Sequence, residues 1–450
     1  MNFSKKIIIS LSLITSIALY SNADTLNTQV KSSITVNTSS ILDSYSNIAL
    51  DTYTKTLDDA KALKQAIDEF AKKPTIESFE KAKKAWLESR ESYGQSEAFR
   101  LSKGPIDAED NWVGEAYGAR EGQINPWPLD ENMIDYTIDA KGKRTSGNII
   151  DTVGKFNPGG EESKEVDVRK ITPEAISELN ENGGEANVAT GYHAIEFLLW
   201  GQDQDYSNFM KDGITKGAMT AGQRPLSDFT TAKNSQRRLD YLKAASQKLV
   251  EDLQSVKEAW EKNIDGNKGL YKAALNGELK GENASKNIDS KEALKQIISG
   301  MGTFMKSELA NERIAVAVLT PSEEDEQSCF SDNTHRDIAQ NYQGFKNILT
   351  ATYNDKKYGS SLLDALDNES KDRIEKLMSS IEEKIKKIDE VAKTKEHFDY
   401  QIRPQSPMSK VIVKLKNEMR KLGDEMVNVA IANGIDLSTD DVTDPEETKI

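Results

Sequence analysis

Apolar residues recur at helical spacing along most of this chain. Tyr53, Leu57, Ala60, Leu63, Ile67 and Phe70 mark one face of a first helix, which Lys73-Pro74 brings to an end. Thr75 is placed to cap a second helix carrying Phe79, Ala82, Trp86 and Tyr93 on one side and running on to Glu97 and Arg100, so the pair predicts a helical hairpin. Leu239, Leu242, Leu249, Leu253, Val256 and Trp260 form a further stripe of the kind that lines a bundle seam. Helices are also predicted over Ala293 to Leu319, Asn333 to Ala351 and Leu362 to Val391. The last one opens at Ser406-Pro407, carries Met408, Ile412, Leu415, Met419, Leu422, Met426 and Val429, and stops at Asn433-Gly434. Strand signals are almost absent, so the fold class is all-α.

Between these segments the pattern dissolves. From Leu101 to Asn187 the chain is rich in Gly, Pro and Asn, with short helical pieces over Leu129 to Tyr136 and Pro173 to Leu179. An irregular connection of that length inside a compact domain is usually functional. Asp205 to Asn234 separates the two halves, residues 24–44 read as a flexible lead-in, and the acidic tail over 438–450 reads as disordered. At the start, Lys5 and Lys6 precede the apolar run Ile7 to Leu19 and the small residues Ser21-Asn22-Ala23, the order of a secretory signal peptide over 1–23. The apolar core is short for a bilayer and is broken by Ser10, Ser12, Thr15 and Ser16, which argues against a membrane anchor.

One helical segment differs from the rest. Gly191-Tyr-His-Ala-Ile-Glu-Phe-Leu-Leu-Trp200 sets His193 and Glu196 three residues apart, on one face, within a run that is otherwise apolar all round and therefore buried. An imidazole and a carboxylate away from water need partners, so further polar groups, a metal or ordered water must reach this helix from elsewhere. Three other clusters carry candidate chemistry. Asp332 and His335 repeat the three-residue spacing, if the helix there includes Asp332; otherwise Ser331 or Asp332 caps it and His335 is a surface residue. Glu308 and Glu312, beside Arg313, lie among the small residues Gly300, Gly302, Ser307, Ala310 and Ala315, which permit close helix approach. Glu97 and Arg100 share a face near the end of the second helix. His397, in a charged run, is expected to be exposed and unrelated.

A formal charge of −15 excludes the clustered positive face that nucleic acid requires. The lone Cys329 excludes an intrachain disulfide and reads as a small buried hydrophobe. No zinc-peptidase HExxH helix, GxSxG elbow or P-loop is present.

The Gly191-x-His193-x-x-Glu196 run with its Phe-Leu-Leu-Trp-Gly-Gln-Asp203 sequel resembles the GxHxxE signature of the imelysin family, in its iron-regulated protein A-like branch. Gln123 to Tyr136, Gly300 to Arg313 and Glu324 to Asp337 are similar to further blocks of that branch, in order along the chain. The resemblance implies two four-helix bundles, here 45–215 (with the long irregular excursion) and 235–437, and a site between them. It also implies a role in bacterial iron uptake or homeostasis. On this reading His193, Glu196, His335, Asp332 and Glu308 are the expected metal ligands, with Glu97, Arg100, Trp127, Asp130, Glu312, Arg313 and Asp337 as further site residues. Iron is the expected metal and zinc the alternative. The expected protein is exported, periplasmic or peripheral to the cell envelope, and binds a metal ion or small iron-bearing ligand alongside envelope iron-uptake components. A non-enzymatic role is preferred. An imelysin-type metallopeptidase is the alternative, and a purely structural envelope protein the third possibility.

Overall fold

The computed structural model describes residues 37–109, 111–138, 143–203, 218–261, 270–321 and 325–446. The signal peptide expected over 1–23, the expected lead-in up to residue 36, part of the expected separator and the last four residues lie outside them.

The first helix, α1 (Thr38–Lys72), begins earlier than its stripe suggested. Ile41, Leu42, Tyr45 and Ile48 are buried and carry the same face back through a Ser- and Thr-rich stretch, so the lead-in expected up to residue 44 is corrected there. Helix α2 (Ile76–Ser96) starts at a capping box in which Thr75 and Ser78 satisfy each other's backbone N–H groups, and a 3₁₀ turn, Glu97–Phe99, extends it. The histidine run forms α3 (Gly191–Trp200), with every residue buried. Helix α4 (Ser235–Trp260) follows. The sequence reading put it at the start of the C-terminal half, yet it packs against α1 and α3.

Helix α5 (Ser290–Thr303) continues without a break into a π-helical segment, Phe304–Ala315, and a final turn, Val316–Leu319. Helices α6 (Thr334–Thr350), α7 (Asn368–Thr394) and α8 (Ser409–Ala432) complete the long elements. The predicted stripe of α8, from Ile412 to Val429, is buried and faces the π segment, α5 and α7. From Thr38 onward the chain forms one unit, and α6 lies across α2, joining the C-terminal helices to the first hairpin. The excursion after residue 100 contains short helices and one two-residue antiparallel ladder, Lys155–Phe156 with Val166–Asp167. The tail is also corrected. Val442 is buried, and a Cβ at Gly302 would stand 2.6 Å from its side chain, so the turn Asp440–Val442 packs on α5. None of the described helices is long and apolar enough to cross a membrane.

Candidate functional site

The glycine of the motif has a steric reason. Gly191 has φ +81°, and a Cβ there would meet the Ile124 carbonyl oxygen at 2.4 Å, so only glycine lets the Ile124–Pro128 strap lie on the start of α3. That strap delivers Trp127, whose ring packs on the His193 imidazole at 4.8 Å between centroids. Further along the same face, His193 Nδ1 lies 2.9 Å from Glu196 Oε2. Glu196 Oε1 accepts from the Ser331 backbone N–H (2.9 Å) and hydroxyl (2.6 Å), on the loop before α6. The neighbouring Phe330 wedges between Trp127 and Phe197. His193 Nε2 is buried and has no hydrogen-bond partner among the described residues.

Electrostatics keep this pair neutral. Burial drives the His193 imidazole well below its ordinary value, and the positive fields of Arg90 and Arg313 push it the same way. Burial raises the Glu196 carboxyl to about 8, with the Ser331 hydrogen bonds and Arg90 opposing. A carboxyl whose pKa rises on folding adds stability that is complete below the unfolded value near 4.5 and is lost as pH climbs through 8. Between pH 6.5 and 8, where proton uptake by unfolded His193 is common to both proteins and cancels, wild type should therefore lose stability relative to Glu196→Gln, at a slope of at most about 1.4 kcal/mol per pH unit. Parallel urea-denaturation series of the two proteins measure it. A constant difference across that range would mean that Glu196 is ionised in the fold.

Next to the pair lies a buried charge network joining the two halves. Arg90, among the rings of Trp86, Tyr93 and Tyr192, donates from Nε and Nη2 to Asp337 Oδ1 (3.0 and 2.9 Å) and from Nη1 to Asn125 Oδ1 (2.5 Å). Asn125 donates to Glu97 Oε1 at 3.1 Å. Arg313 binds Glu97 through both terminal nitrogens at 2.8 Å and donates to Asn341 Oδ1 at 2.6 Å. Glu308 Oε1 accepts from Arg313 Nη2 (2.7 Å) and Arg100 Nη1 (2.9 Å). Burial alone would raise Glu308, but Arg100 and Arg313 outweigh it and hold the carboxyl down at about 2. The wider π turn is what places Glu308 against Arg313, five residues on.

Above Trp127 opens a cavity of about 630 Å³, lined from the excursion by residues between Arg100 and Val188 and from the π segment and beyond by residues 308–327. Its described walls carry Glu109, Glu121, Glu181, Glu185, Glu308, Glu312 and Asp325 against only Arg100 and Arg313. Such a wall concentrates cations. His193 and Glu196 are not part of its lining; Trp127 stands between them and it.

The five expected metal ligands do not converge. Glu196 spends its oxygens on His193 and Ser331, and Glu308 is neutralised by two arginines. His335 Nδ1 lies 3.1 Å from the Asp332 backbone carbonyl oxygen and its Nε2 lies 3.7 Å from Asp389, and burial pushes its imidazole down to about 4 despite Asp389. Asp332 precedes α6 rather than belonging to it, so the helical spacing with His335 does not apply; its carboxylate instead meets His397 Nδ1. His397 is thus half-buried and engaged, contrary to the exposed position expected from its charged run. Asp332, His397 and Asp399 each offer a ligand atom within 4.8 Å of the others, the one such group found among the described residues. Asp130 caps a short helix, Glu131–Ile134, by accepting from Met133 N–H, and has no place in the site. As a metal centre the motif pair supplies one orphaned nitrogen in a field made positive by Arg90 and Arg313, a poor fit to a bare cation; the cavity and the Asp332 group fit better.

Sequence reasoning overlooked Arg90, Asn125 and Asn341, and took Ser331 only as a candidate helix cap. Arg90 was within reach, because it stands four residues after Trp86 and three before Tyr93 on the predicted apolar face.

The comparisons with known proteins agree on the fold. A family model described as Imelysin (Peptidase_M75) matches residues 49–426. Among solved structures, the chain is similar to a protein from Parabacteroides distasonis designated an iron-regulated protein A precursor. The two share 17% identity with a TM-score of 0.59, over 87% of this chain and 94% of that one. No curated protein matches.

Proposed function

The chain belongs to the imelysin family, and we propose that it takes up a metal ion or a small metal-bearing ligand in the acidic cavity between two helical bundles, in support of bacterial iron homeostasis. The observation that carries this reading is the wall of carboxylates around Trp127, contributed by both halves of the chain. A divalent ion about 4 Å from one carboxylate gains on the order of 1 kcal/mol per unit charge even at the dielectric of water, and more in a partly enclosed cleft. In this reading His193 and Glu196 set the position of Trp127 and of the Ser331 loop, and they contact the ligand only if the tryptophan moves. The leader pattern over 1–23 supports export and a place in the periplasm. The metallopeptidase reading has less behind it, since His193 and Glu196 are both 0% exposed and neither meets solvent or substrate in this conformation.

Titration of untagged protein with ferrous ion, a ferric chelate and zinc ion tests the cavity. The Glu121→Gln/Glu312→Gln double variant should bind the preferred species at least roughly tenfold more weakly than wild type, the loss of about 1.4 kcal/mol from two charges. Unchanged affinity for all three would remove the cavity from the function.

A further inference from the structure

We propose that Asp332, His397 and Asp399 form a second site, for a divalent transition-metal ion, separate from the acidic cavity and from the histidine helix. Asp332 comes from the loop before α6. His397 and Asp399 come from the start of the short helix Phe398–Gln401 that follows α7. Backbone bonds tie both sides to one segment: His397 N–H donates to the Ala218 carbonyl oxygen at 2.7 Å, and Gly222 N–H donates at 2.9 Å to the carbonyl oxygen of Phe330, two residues before Asp332. None of the three residues lines the cavity.

The independent sign of a ligand is unmet bonding capacity. Asp332 and Asp399 are only 3% and 2% exposed, yet Oδ1 of each has no hydrogen-bond partner among the described residues. Buried carboxylate oxygens without donors are costly, and two in one cluster cost more because the charges repel. Asp203 adds a third negative charge to the surroundings, while Arg403 opposes it beside Asp399. A divalent cation would answer both deficits at once. The ligand atoms stand within 4.8 Å of one another, and donors on one zinc-sized ion are about 3.4 Å apart at bond lengths near 2.1 Å, so side-chain rotation closes the gap. One imidazole with two carboxylates favours zinc, ferrous or manganous ion over calcium or magnesium. An ion held there ties the Ser331–Asp332 loop, and through Ser331 the Glu196 carboxyl, to the segment between α7 and α8.

The test is metal content and melting temperature of untagged full-length protein after dialysis against zinc, manganous or, without oxygen, ferrous ion. His397→Gln and Asp399→Asn are compared with wild type and with the Glu121→Gln/Glu312→Gln cavity variant. The cavity variant should keep one tightly held equivalent and its metal-induced rise in melting temperature. Both triad variants should lose that equivalent, with affinity down more than roughly 100-fold, beyond the usual effect of losing an outer-shell partner. Their apo forms should remain helical by circular dichroism, Asp399→Asn most securely because it removes a buried charge without changing shape. X-ray absorption at the metal edge of the cavity variant should show nitrogen and oxygen neighbours with one imidazole. Wild-type stoichiometry and affinity in Asp399→Asn, or no bound metal in wild type, overturns the proposal. Loss of metal in the cavity variant alone would overturn it too, while leaving the cavity function standing.

Discussion

Replacing Arg313 with methionine is expected to cost about 3–5 kcal/mol of folding stability, the usual price of leaving a buried charge without its partner. Arg313 is the hub between the halves: it binds Glu97 through two nitrogens, reaches Asn341 and holds Glu308. Methionine keeps most of the stem's packing, so the loss measures charge and hydrogen bonding. In the variant Glu97 stays wholly buried with only Asn125 and Asn341 donating to it. The effect depends on pH with a definite sign. Burial raises Glu97 and Glu308, but the arginines outweigh it and hold both below the ordinary carboxylate range, Glu308 at about 2. Their contribution is therefore present above the unfolded value near 4.5 and is lost as pH falls towards 2. In Arg313→Met both carboxyls lose the guanidinium that depresses them, so the acid loss should shrink and the gap to wild type should narrow between pH 7 and pH 4. Urea denaturation at pH 7 and pH 4 reads both effects, and adding Glu97→Gln should return part of the stability. A single variant within 1 kcal/mol of wild type would mean that water already serves these groups.

The long helices were legible because one face of each is apolar at helical spacing, and the cap at Thr75 and the stop at Asn433-Gly434 could be read directly. The misplaced boundaries have identifiable causes. Ser and Thr between Thr38 and Ser46 disguised a stripe that Ile41, Leu42 and Tyr45 continue, and a single buried Val442 anchors an otherwise acidic tail. The π segment has no local signature, so spacing suggested Glu308 with Glu312, whereas the wider turn pairs Glu308 with Arg313. Within the site, His193 and Glu196 stood out because polar groups in an apolar helix demand partners, and the C-terminal half does supply one. That partner is Ser331, which the sequence marks only as a possible helix cap because the contact with Glu196 is made across 135 residues. Asp332, His397 and Asp399 meet only through the tertiary fold, across a sequence separation of 65 residues. No spacing rule reaches that far.

Gly344→Ala should destabilise the protein by several kcal/mol even though alanine is the better helix former by about 1 kcal/mol. Gly344 lies on α6 where it crosses α2, and a Cβ there would stand 2.2 Å from the Gln95 carbonyl oxygen and 2.8 Å from its carbonyl carbon. Both are backbone atoms, so no rotamer change relieves the contact; the helices must part by about 1 Å to reach ordinary packing distance. Overpacking of that kind costs roughly 1–3 kcal/mol by itself. The same crossing carries the Arg90–Asp337 pair, the 3.0 Å bond from Asn341 to the Gly94 carbonyl, and the two bonds from Arg336 to Glu91 at 2.8 and 2.6 Å. A shift of 1 Å strains all of them, and each buried group left unsatisfied adds roughly 1–3 kcal/mol. Helix propensity and packing predict opposite signs, which makes the measurement decisive. A lower denaturation midpoint, with the far-ultraviolet spectrum retained at low temperature, is the expected result. A variant as stable as wild type would show that α2 and α6 can separate at little cost, and that the arginine and carboxylate network between them is adjustable rather than clamped by the backbone.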